Sequence, residues 1–235
     1  MPSLTRRTVA EMFGTFALVF FGCGVVVMDS FPGARAGLLG IALVHAIVLS
    51  IAVSATMFIS GAHLNPAITI GMLAIRKITP RDALAYIVGQ LAAALLAIAV
   101  ARMLLPVSIG DLVSWGTPAL SPRVTFQQGI AIEALLTFFL MSAVMATAVA
   151  PNAPKIGGFG IGLTLFFTIM VGGPLTGSAL NPARAFGPAI ISGNMTAQAV
   201  WWIGPIIGCV IAALLWQHVL LRENRSDEPA MPTEQ

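Results

Sequence analysis

Charged residues are scarce in this sequence: Asp, Glu, Lys and Arg make up 9% of its 235 residues, whereas apolar residues make up 57%. Roughly a quarter of the residues of a soluble domain are charged, because water has to solvate the surface. The scarcity excludes a soluble enzyme and a disordered chain. The 12 Lys and Arg residues are scattered and form no basic stripe, so no nucleic-acid partner is predicted.

Cysteine is also nearly absent. Cys23 and Cys209 both lie inside apolar runs, with no Cys-x-x-Cys spacing and no neighbouring histidine. This pattern predicts neither a disulfide framework nor a zinc site. We expect the protein to contain no metal and no other cofactor.

Long apolar stretches dominate the rest of the sequence. A bilayer core of about 30 Å needs roughly 20 helical residues to cross it. Six stretches qualify, at approximately residues 9–28, 38–59, 83–105, 126–150, 156–171 and 199–221. They predict an all-α membrane protein that crosses the lipid bilayer six times. We expect a single transmembrane domain over residues 1–235, with a surface loop at 106–125 and a polar C-terminal tail at 222–235.

Two shorter apolar pieces, residues 66–75 and 182–191, are too short to cross alone, since ten helical residues span about 15 Å. Both follow the same tripeptide, which is Asn65-Pro66-Ala67 in the first piece and Asn181-Pro182-Ala183 in the second. Asn is a favoured N-cap residue, and Pro is favoured at the first helical position. Each motif therefore predicts the start of a short helix.

The distribution of basic residues indicates how these short helices sit in the membrane. If each enters and leaves on the same side, one face receives Arg6, Arg7, Arg76, Lys77, Arg81, Lys155, Arg222 and Arg225. The opposite face receives Arg35, Arg102 and Arg123. Full crossings would divide the basic residues almost evenly, whereas membrane proteins concentrate them on the cytoplasmic side. Two re-entrant half-helices and cytoplasmic N- and C-termini are therefore predicted.

The two halves of the chain, at about residues 8–105 and 126–221, resemble each other. Each contains three long apolar stretches, one short helix and a glutamate in its first stretch, which is Glu11 or Glu133. Because three crossings are an odd number, the second half is an inverted repeat of the first. The two half-helices are then expected to meet by their N-termini near the middle of the bilayer.

Such a meeting point disfavours cations, because each helix N-terminus carries roughly half a positive charge. The amides of Asn65 and Asn181 are expected to cap the helices and to present donors to a passing solute. Irregular backbone survives at this depth where it lines a cavity. The carbonyls expected to line the pore belong to Gly61, Ala62, His63, Gly177 and Ala179. The pattern predicts a pore for neutral, hydrogen-bonding molecules.

The two motifs resemble the signature loops of the aquaporin, or major intrinsic protein, family. The resemblance rests on Ser60-Gly61-Ala62-His63-Leu64-Asn65-Pro66-Ala67 and Gly177-Ser178-Ala179-Leu180-Asn181-Pro182-Ala183-Arg184, and it extends over about residues 8–221. It implies an aquaporin-like bundle of six transmembrane helices with two re-entrant half-helices. It also implies one pore in each subunit, a homotetramer, and a passive channel rather than an enzyme.

The resemblance places a selectivity filter at His45, Ile169, Ser178 and Arg184. Strict water channels of the family usually have an aromatic residue where His45 stands and a histidine where Ile169 stands. The set found here is similar to that of tonoplast-type and ammonia-permeable aquaporins. The glycerol-facilitating branch typically has Asp where this chain has Ala185. We expect conduction of water and ammonia, and a facilitator of glycerol, urea or neutral metalloid hydroxides is the alternative.

Other interpretations remain open at this stage. Glu11 and Glu133 are expected to hold the loops by accepting backbone hydrogen bonds, and a proton relay is the alternative. A coupled secondary transporter also fits inverted repeats, although no acidic residue lies beside either motif to bind an ion. An intramembrane hydrolase would need an acid pair within the spans, whereas Asp29, Asp82 and Asp111 fall in loops or at span ends.

Overall fold

The structure, a computed structural model, describes residues 2–221, so that residue 1 and the predicted polar tail at 222–235 lie outside the described residues. Every regular element within residues 2–221 is helical. The helices are α1 (Leu4–Asp29), α2 (Gly37–Ser60), α3 (Pro66–Ala74), α4 (Pro80–Leu104), α5 (Val107–Leu112), α6 (Phe126–Val144), α7 (Phe159–Thr176), α8 (Pro182–Ser192) and α9 (Val200–Leu215). One π-helical turn continues α6 (Met145–Val149) and another continues α9 (Trp216–Leu220).

Six helices are long and apolar enough to cross a membrane, and they are α1, α2, α4, α6, α7 and α9. For α6 and α9 this length includes the π-helical turn that continues each helix. This confirms the predicted all-α fold with six transmembrane helices. The fifth of them, α7, begins and ends later than the predicted 156–171. Pro174 does not stop it, because proline removes a single backbone donor near the helix end. The helix ends instead at Gly177, which has a φ of +78°.

The surface loop predicted at residues 106–125 is partly helical and partly buried. This segment contains α5 and a 3-10 turn (Ser114–Gly116), and the indole of Trp115 is completely buried. Trp115 lies four residues after Asp111 and donates a hydrogen bond of 2.6 Å to its carboxylate. A buried indole whose N–H has a hydrogen-bond partner stabilises a compact segment. The prolines and glycines of this region had indicated an irregular loop instead.

The two halves pack in the same way and interlock. In the first half α1 contacts α2 and α4, and in the second half α6 contacts α7 and α9. Each short helix crosses to the other half, since α3 packs against α9 and α8 packs against α4. The half-helices are therefore held inside the bundle by long helices of both repeats.

Glycines allow close contact between α6 and α9. A Cβ at Gly204 would lie 2.7 Å from the carbonyl oxygen of Ile130, and a Cβ at Gly208 would collide with the carbonyl oxygen of Ala134. Helices α6 and α9 thus approach each other more closely than larger residues would permit.

Polar and apolar residues are distributed as a bilayer requires. Large apolar side chains face outward, with Phe58 76% and Leu104 69% exposed. The acidic side chains of Glu11 and Glu133 are completely buried inside the bundle. Buried charges in a protein of this kind need hydrogen-bond partners, and these partners define the functional site.

Candidate functional site

Both short helices begin at the predicted motifs. Asn65 is the N-cap of α3, where its Oδ1 accepts a hydrogen bond of 2.8 Å from the Ala67 amide. Asn181 is the N-cap of α8, where its Oδ1 accepts from the amides of Ala183 and Arg184 at 3.0 and 3.3 Å. A proline occupies the first position of each helix. The caps satisfy backbone donors that would otherwise be orphaned in a dry environment.

The two asparagines also hold the two halves together. Nδ2 of Asn65 donates to the carbonyl oxygen of Leu180 at 2.8 Å, and Nδ2 of Asn181 donates to that of Leu64 at 2.9 Å. The exchange joins the N-termini of α3 and α8 inside the bundle. Each amide group keeps a second N–H that these bonds do not use.

The loops before the half-helices share an unusual backbone. Ala62 and Leu64 have φ values of +50° and +52°, and Ser178 and Leu180 have values of +46° and +54°. Residues with side chains rarely adopt this left-handed region, and they persist there only where the surroundings hold them. The repetition of the pattern shows that the two loops are built alike.

The carboxylate of Glu11 supplies part of that support to the first loop. It accepts hydrogen bonds from the hydroxyl of Ser60 at 2.7 Å and from the amides of His63 and Leu64 at 2.9 and 2.6 Å. It also accepts from Nε2 of Gln90 at 2.9 Å. These four hydrogen bonds offset much of the free-energy cost of removing the carboxylate from water.

Glu133 has the equivalent contacts in the second loop. It accepts from the hydroxyl of Thr176 at 2.6 Å and from the amides of Ala179 and Leu180 at 3.1 and 2.8 Å. Helix α9 adds a bond of 2.9 Å from Nε1 of Trp201 to the carbonyl oxygen of Thr176. This use of Trp201 could not be predicted from the sequence, because its hydrogen-bond partner lies 25 residues away in the chain.

A narrow cavity of about 20 Å³ runs past both asparagines, and a wider one of about 280 Å³ adjoins it. The four residues assigned to the filter all line the narrow cavity, and they are His45, Ile169, Ser178 and Arg184. Three of them, His45, Ile169 and Arg184, also line the wide cavity. The structure therefore brings these three residues together where the two cavities meet.

The loop residues predicted to contribute carbonyls are distributed unequally around this passage. Ala62, His63 and Ala179 line the narrow cavity. Gly177 lines the wide cavity, whereas Gly61 lines neither of these two cavities. Gly61 ends α2 with a φ of +87°, as Gly177 ends α7, so both glycines turn the chain into its loop.

The side chains at the junction differ in what they offer to a solute. Nδ1 of His45 lies 2.9 Å from the carbonyl oxygen of Ile41, which can only accept, so Nδ1 carries a proton. When the ring is neutral, Nε2 is an acceptor. Nη1 of Arg184 donates to the carbonyl oxygen of Gly116 at 2.7 Å. The buried hydroxyl of Ser178 has no hydrogen-bond partner within residues 2–221.

Gly116 is a contributor that sequence reasoning missed. It lies in the segment predicted to be a surface loop, 68 residues before Arg184 in the chain. The sequence signal that could have indicated it is the Asp111–Trp115 spacing, which predicts an ordered segment rather than a free loop.

Comparison with known proteins gives the class of this site. A family model described as Major intrinsic protein matches residues 1–216. The chain belongs to the major intrinsic protein family. As a member, it is an integral multi-pass membrane channel for water or small solutes, and it is not an enzyme.

Individual relatives of this major intrinsic protein match it over nearly their whole length. Aquaporin TIP4-1 of Arabidopsis thaliana is 39% identical over 98% of this chain and 90% of its own. Aquaporin AqpM of Methanothermobacter thermautotrophicus is 36% identical over 93% of this chain and 99% of its own. The X-ray structure of the aquaglyceroporin from Plasmodium falciparum shares the fold, with a TM-score of 0.83 and 23% identity over 93% of this chain and 97% of that one.

Proposed function

We propose that this channel conducts water and ammonia through the narrow cavity while it excludes protons and ions. The observation that carries the proposal is the exchange of amide hydrogen bonds between the Asn65 and Asn181 regions, which joins two helix N-termini beside that cavity. A neutral solute can accept a hydrogen bond from the amide N–H that each asparagine retains.

Cation exclusion follows from the positive charges along this passage. The N-termini of α3 and α8 each contribute roughly half a positive charge. The guanidinium of Arg184 adds a full positive charge at the junction of the two cavities. A cation would lose its hydration shell and meet a repulsive field, whereas water meets neither penalty in full.

Ammonia permeation is supported by the groups at the proposed filter. When the His45 ring is neutral, its Nε2 can accept a hydrogen bond from an N–H group of ammonia. Arg184 can donate a hydrogen bond to the lone pair of ammonia. Ile169 provides an apolar wall, and Ser178 also lines the narrow cavity. Glycerol, urea and neutral metalloid hydroxides are the alternative solutes, and the flux measurements below distinguish them from water and ammonia.

The two loops then have a shared role as the lining of the pore. We assign acceptor roles to the carbonyls of Ala62, His63 and Ala179, and we assign to Glu11 and Glu133 the role of holding the loop backbone. These assignments rest on the hydrogen bonds to the loop amides and on the residues that surround the narrow cavity.

The proposal includes cytoplasmic chain termini and a homotetramer. The excess of basic residues on one face supports the orientation. An apolar groove between α1 and α2, with Phe13, Phe21, Ile47 and Ile51 on its walls, offers a surface for a neighbouring subunit. Cross-linking of the protein in liposomes tests the oligomer, and protease access to sealed vesicles tests the orientation.

Reconstitution into liposomes tests the conducted solutes. Light scattering after an osmotic step reports water, glycerol and urea, an internal pH dye reports ammonia, and bilayer recordings report ionic current. We expect rapid flux of water and ammonia, slow flux of glycerol and urea, and no current. Rapid glycerol flux would support the facilitator alternative, and ion-coupled flux would support a transporter.

A matched pair of variants shows whether flux passes through the proposed filter. Ile169→Trp places an indole in the narrow cavity and is expected to abolish water and ammonia flux. Ile203→Trp makes the same change on the outer surface, where Ile203 is 43% exposed, and is expected to leave both fluxes unchanged. Flux equal to that of empty liposomes from folded wild-type protein would contradict the proposal.

A further inference from the structure

The segment between α4 and α6 contacts the Arg184 side chain of the proposed filter through a backbone carbonyl. The oxygen of Gly116 accepts the buried hydrogen bond from Nη1 of Arg184. No second acceptor for the Arg184 guanidinium is found among residues 2–221. The place of this carbonyl therefore determines where the guanidinium is held.

The backbone that presents this carbonyl is conformationally strained. Ser114, Trp115 and Gly116 have consecutive φ values of +47°, +53° and +76°. The first two are unfavourable for residues with a side chain, and such backbone persists only where its surroundings impose it. A Cβ at position 116 would lie 3.1 Å from Cα of Cys23, so the turn is also pressed against α1.

Trp115 holds this turn in place. Its buried indole packs in an apolar cluster that includes Ala183, the residue before Arg184. Its Nε1 donates to the Asp111 carboxylate at 2.6 Å, and the guanidinium of Arg102 lies 5.4 Å from the indole centroid. The same cluster thus supports both ends of the hydrogen bond between Gly116 and Arg184.

We propose that Trp115 and Asp111 are positioning residues that set the solute selectivity of the channel by holding Arg184 through the Gly116 carbonyl. The inference rests on the proposed function. Without the indole–carboxylate hydrogen bond, the strained turn relaxes and the guanidinium loses its fixed acceptor. The width of the filter then varies, and the permeability to neutral solutes larger than water rises relative to the permeability to water.

Three substitutions test the hydrogen bond itself. Trp115→Phe keeps an aromatic ring and removes the N–H, Asp111→Ala removes the acceptor, and Asp111→Asn restores an acceptor oxygen. The Asp111 side chain is 54% exposed, so its replacement leaves no cavity in the core. The loss of a hydrogen bond to a charged group changes the ratio of held to released states by at least about tenfold.

The measurement is the ratio of urea to water permeability in liposomes. We expect Trp115→Phe and Asp111→Ala to raise this ratio severalfold, and Asp111→Asn to return it towards the wild-type value. Leu112→Ala is the control, because Leu112 lies in the same helix and is 75% exposed. It is expected to leave the ratio unchanged.

Combination with Arg184→Val separates positioning from general destabilisation. If Trp115 acts through Arg184, Trp115→Phe changes the urea-to-water ratio of wild-type protein and leaves that of Arg184→Val unaltered. A further rise in the Arg184→Val background would overturn the inference. An unchanged ratio in both Trp115→Phe and Asp111→Ala, from wild-type protein that conducts water, would also overturn it.

These outcomes are distinguishable from failure of the proposed function. Folded wild-type protein that does not conduct water contradicts the proposed function itself. If Trp115→Phe does not fold, the comparison of Asp111→Ala with Asp111→Asn decides the inference, because both substitutions lie at an exposed carboxylate.

Discussion

Gly22 and His45 lie so close together that position 22 has no room for a side chain. A Cβ on Gly22 would be 2.6 Å from Nε2 and 2.9 Å from Cδ2 of the imidazole. The other edge of the ring is held by the hydrogen bond from Nδ1 to the Ile41 carbonyl. Gly22 in α1 therefore provides the space that the His45 ring occupies at the wall of the cavity.

Gly22→Ala is expected to lower water permeability, because the added methyl group pushes the imidazole towards the lumen. Overpacking of this kind costs about 1–3 kcal/mol of stability, so the melting temperature is also expected to fall. Gly24→Ala is the matched control in the same helix, since its Cβ would be 3.8 Å from the nearest atom, Cδ1 of Leu105. Equal losses in the two variants would contradict the assigned role of Gly22.

Arg184→Val and Arg184→Lys are expected to separate charge from geometry at the filter. The valine removes both the positive charge and the bond to Gly116, so urea and glycerol permeability should rise and cation exclusion should weaken. The lysine keeps the charge but lacks the planar donor fork. It should therefore exclude cations as the wild type does, while its solute permeability rises. An unaltered solute profile in both variants would remove Arg184 from the filter.

The half-helices could be predicted from the sequence because their signals are local. The asparagine cap and the proline after it place the starts of α3 and α8 at residues 66 and 182, where the structure has them. The six long helices could be predicted for a similar reason, since hydropathy within one stretch is sufficient to identify each.

The internal contacts of the site could not be predicted in this way, because they join residues far apart in the chain. Asn65 and Leu180 are 115 positions apart, and Gly116 and Arg184 are 68 apart. Composition and spacing say which groups need partners, but only the packing of the two halves determines which partners they find. The fold of residues 106–125 was missed because a single buried indole decides it.

Glu133→Gln is expected to destabilise the second loop. The glutamine side chain offers one acceptor oxygen where the carboxylate oxygens accept from Thr176, Ala179 and Leu180. At least one buried donor then faces an amide N–H, and an unsatisfied buried group costs about 1–3 kcal/mol. Thermal unfolding in detergent should show a lower melting temperature, accompanied by lower water permeability in liposomes.

The exposed Gln128 provides the comparison for this change. Its side-chain oxygen caps α6 by accepting from the Thr125 amide, so Gln128→Glu makes the reverse exchange at a solvated site and should leave the melting temperature nearly unchanged. A Glu133→Gln protein as stable as the wild type would show that the carboxylate does not hold the loop.

Asn65→Asp is expected to weaken cation exclusion without removing the helix cap. A carboxylate oxygen can still accept from the Ala67 amide, and a negative charge is favourable at a helix N-terminus, so α3 should form. The donor to Leu180 is lost, and the new charge offsets the positive field where the two half-helices meet. A dye for internal pH or potassium should report a cation leak that wild-type liposomes lack.

Asn194→Asp is the control, because it adds the same charge after the end of α8, where the side-chain oxygen accepts from the Thr196 amide. This variant should cause no leak. If Asn65→Asp conducts water and remains as tight to cations as the wild type, the helix termini are not what excludes ions, and the field of Arg184 has to account for exclusion alone.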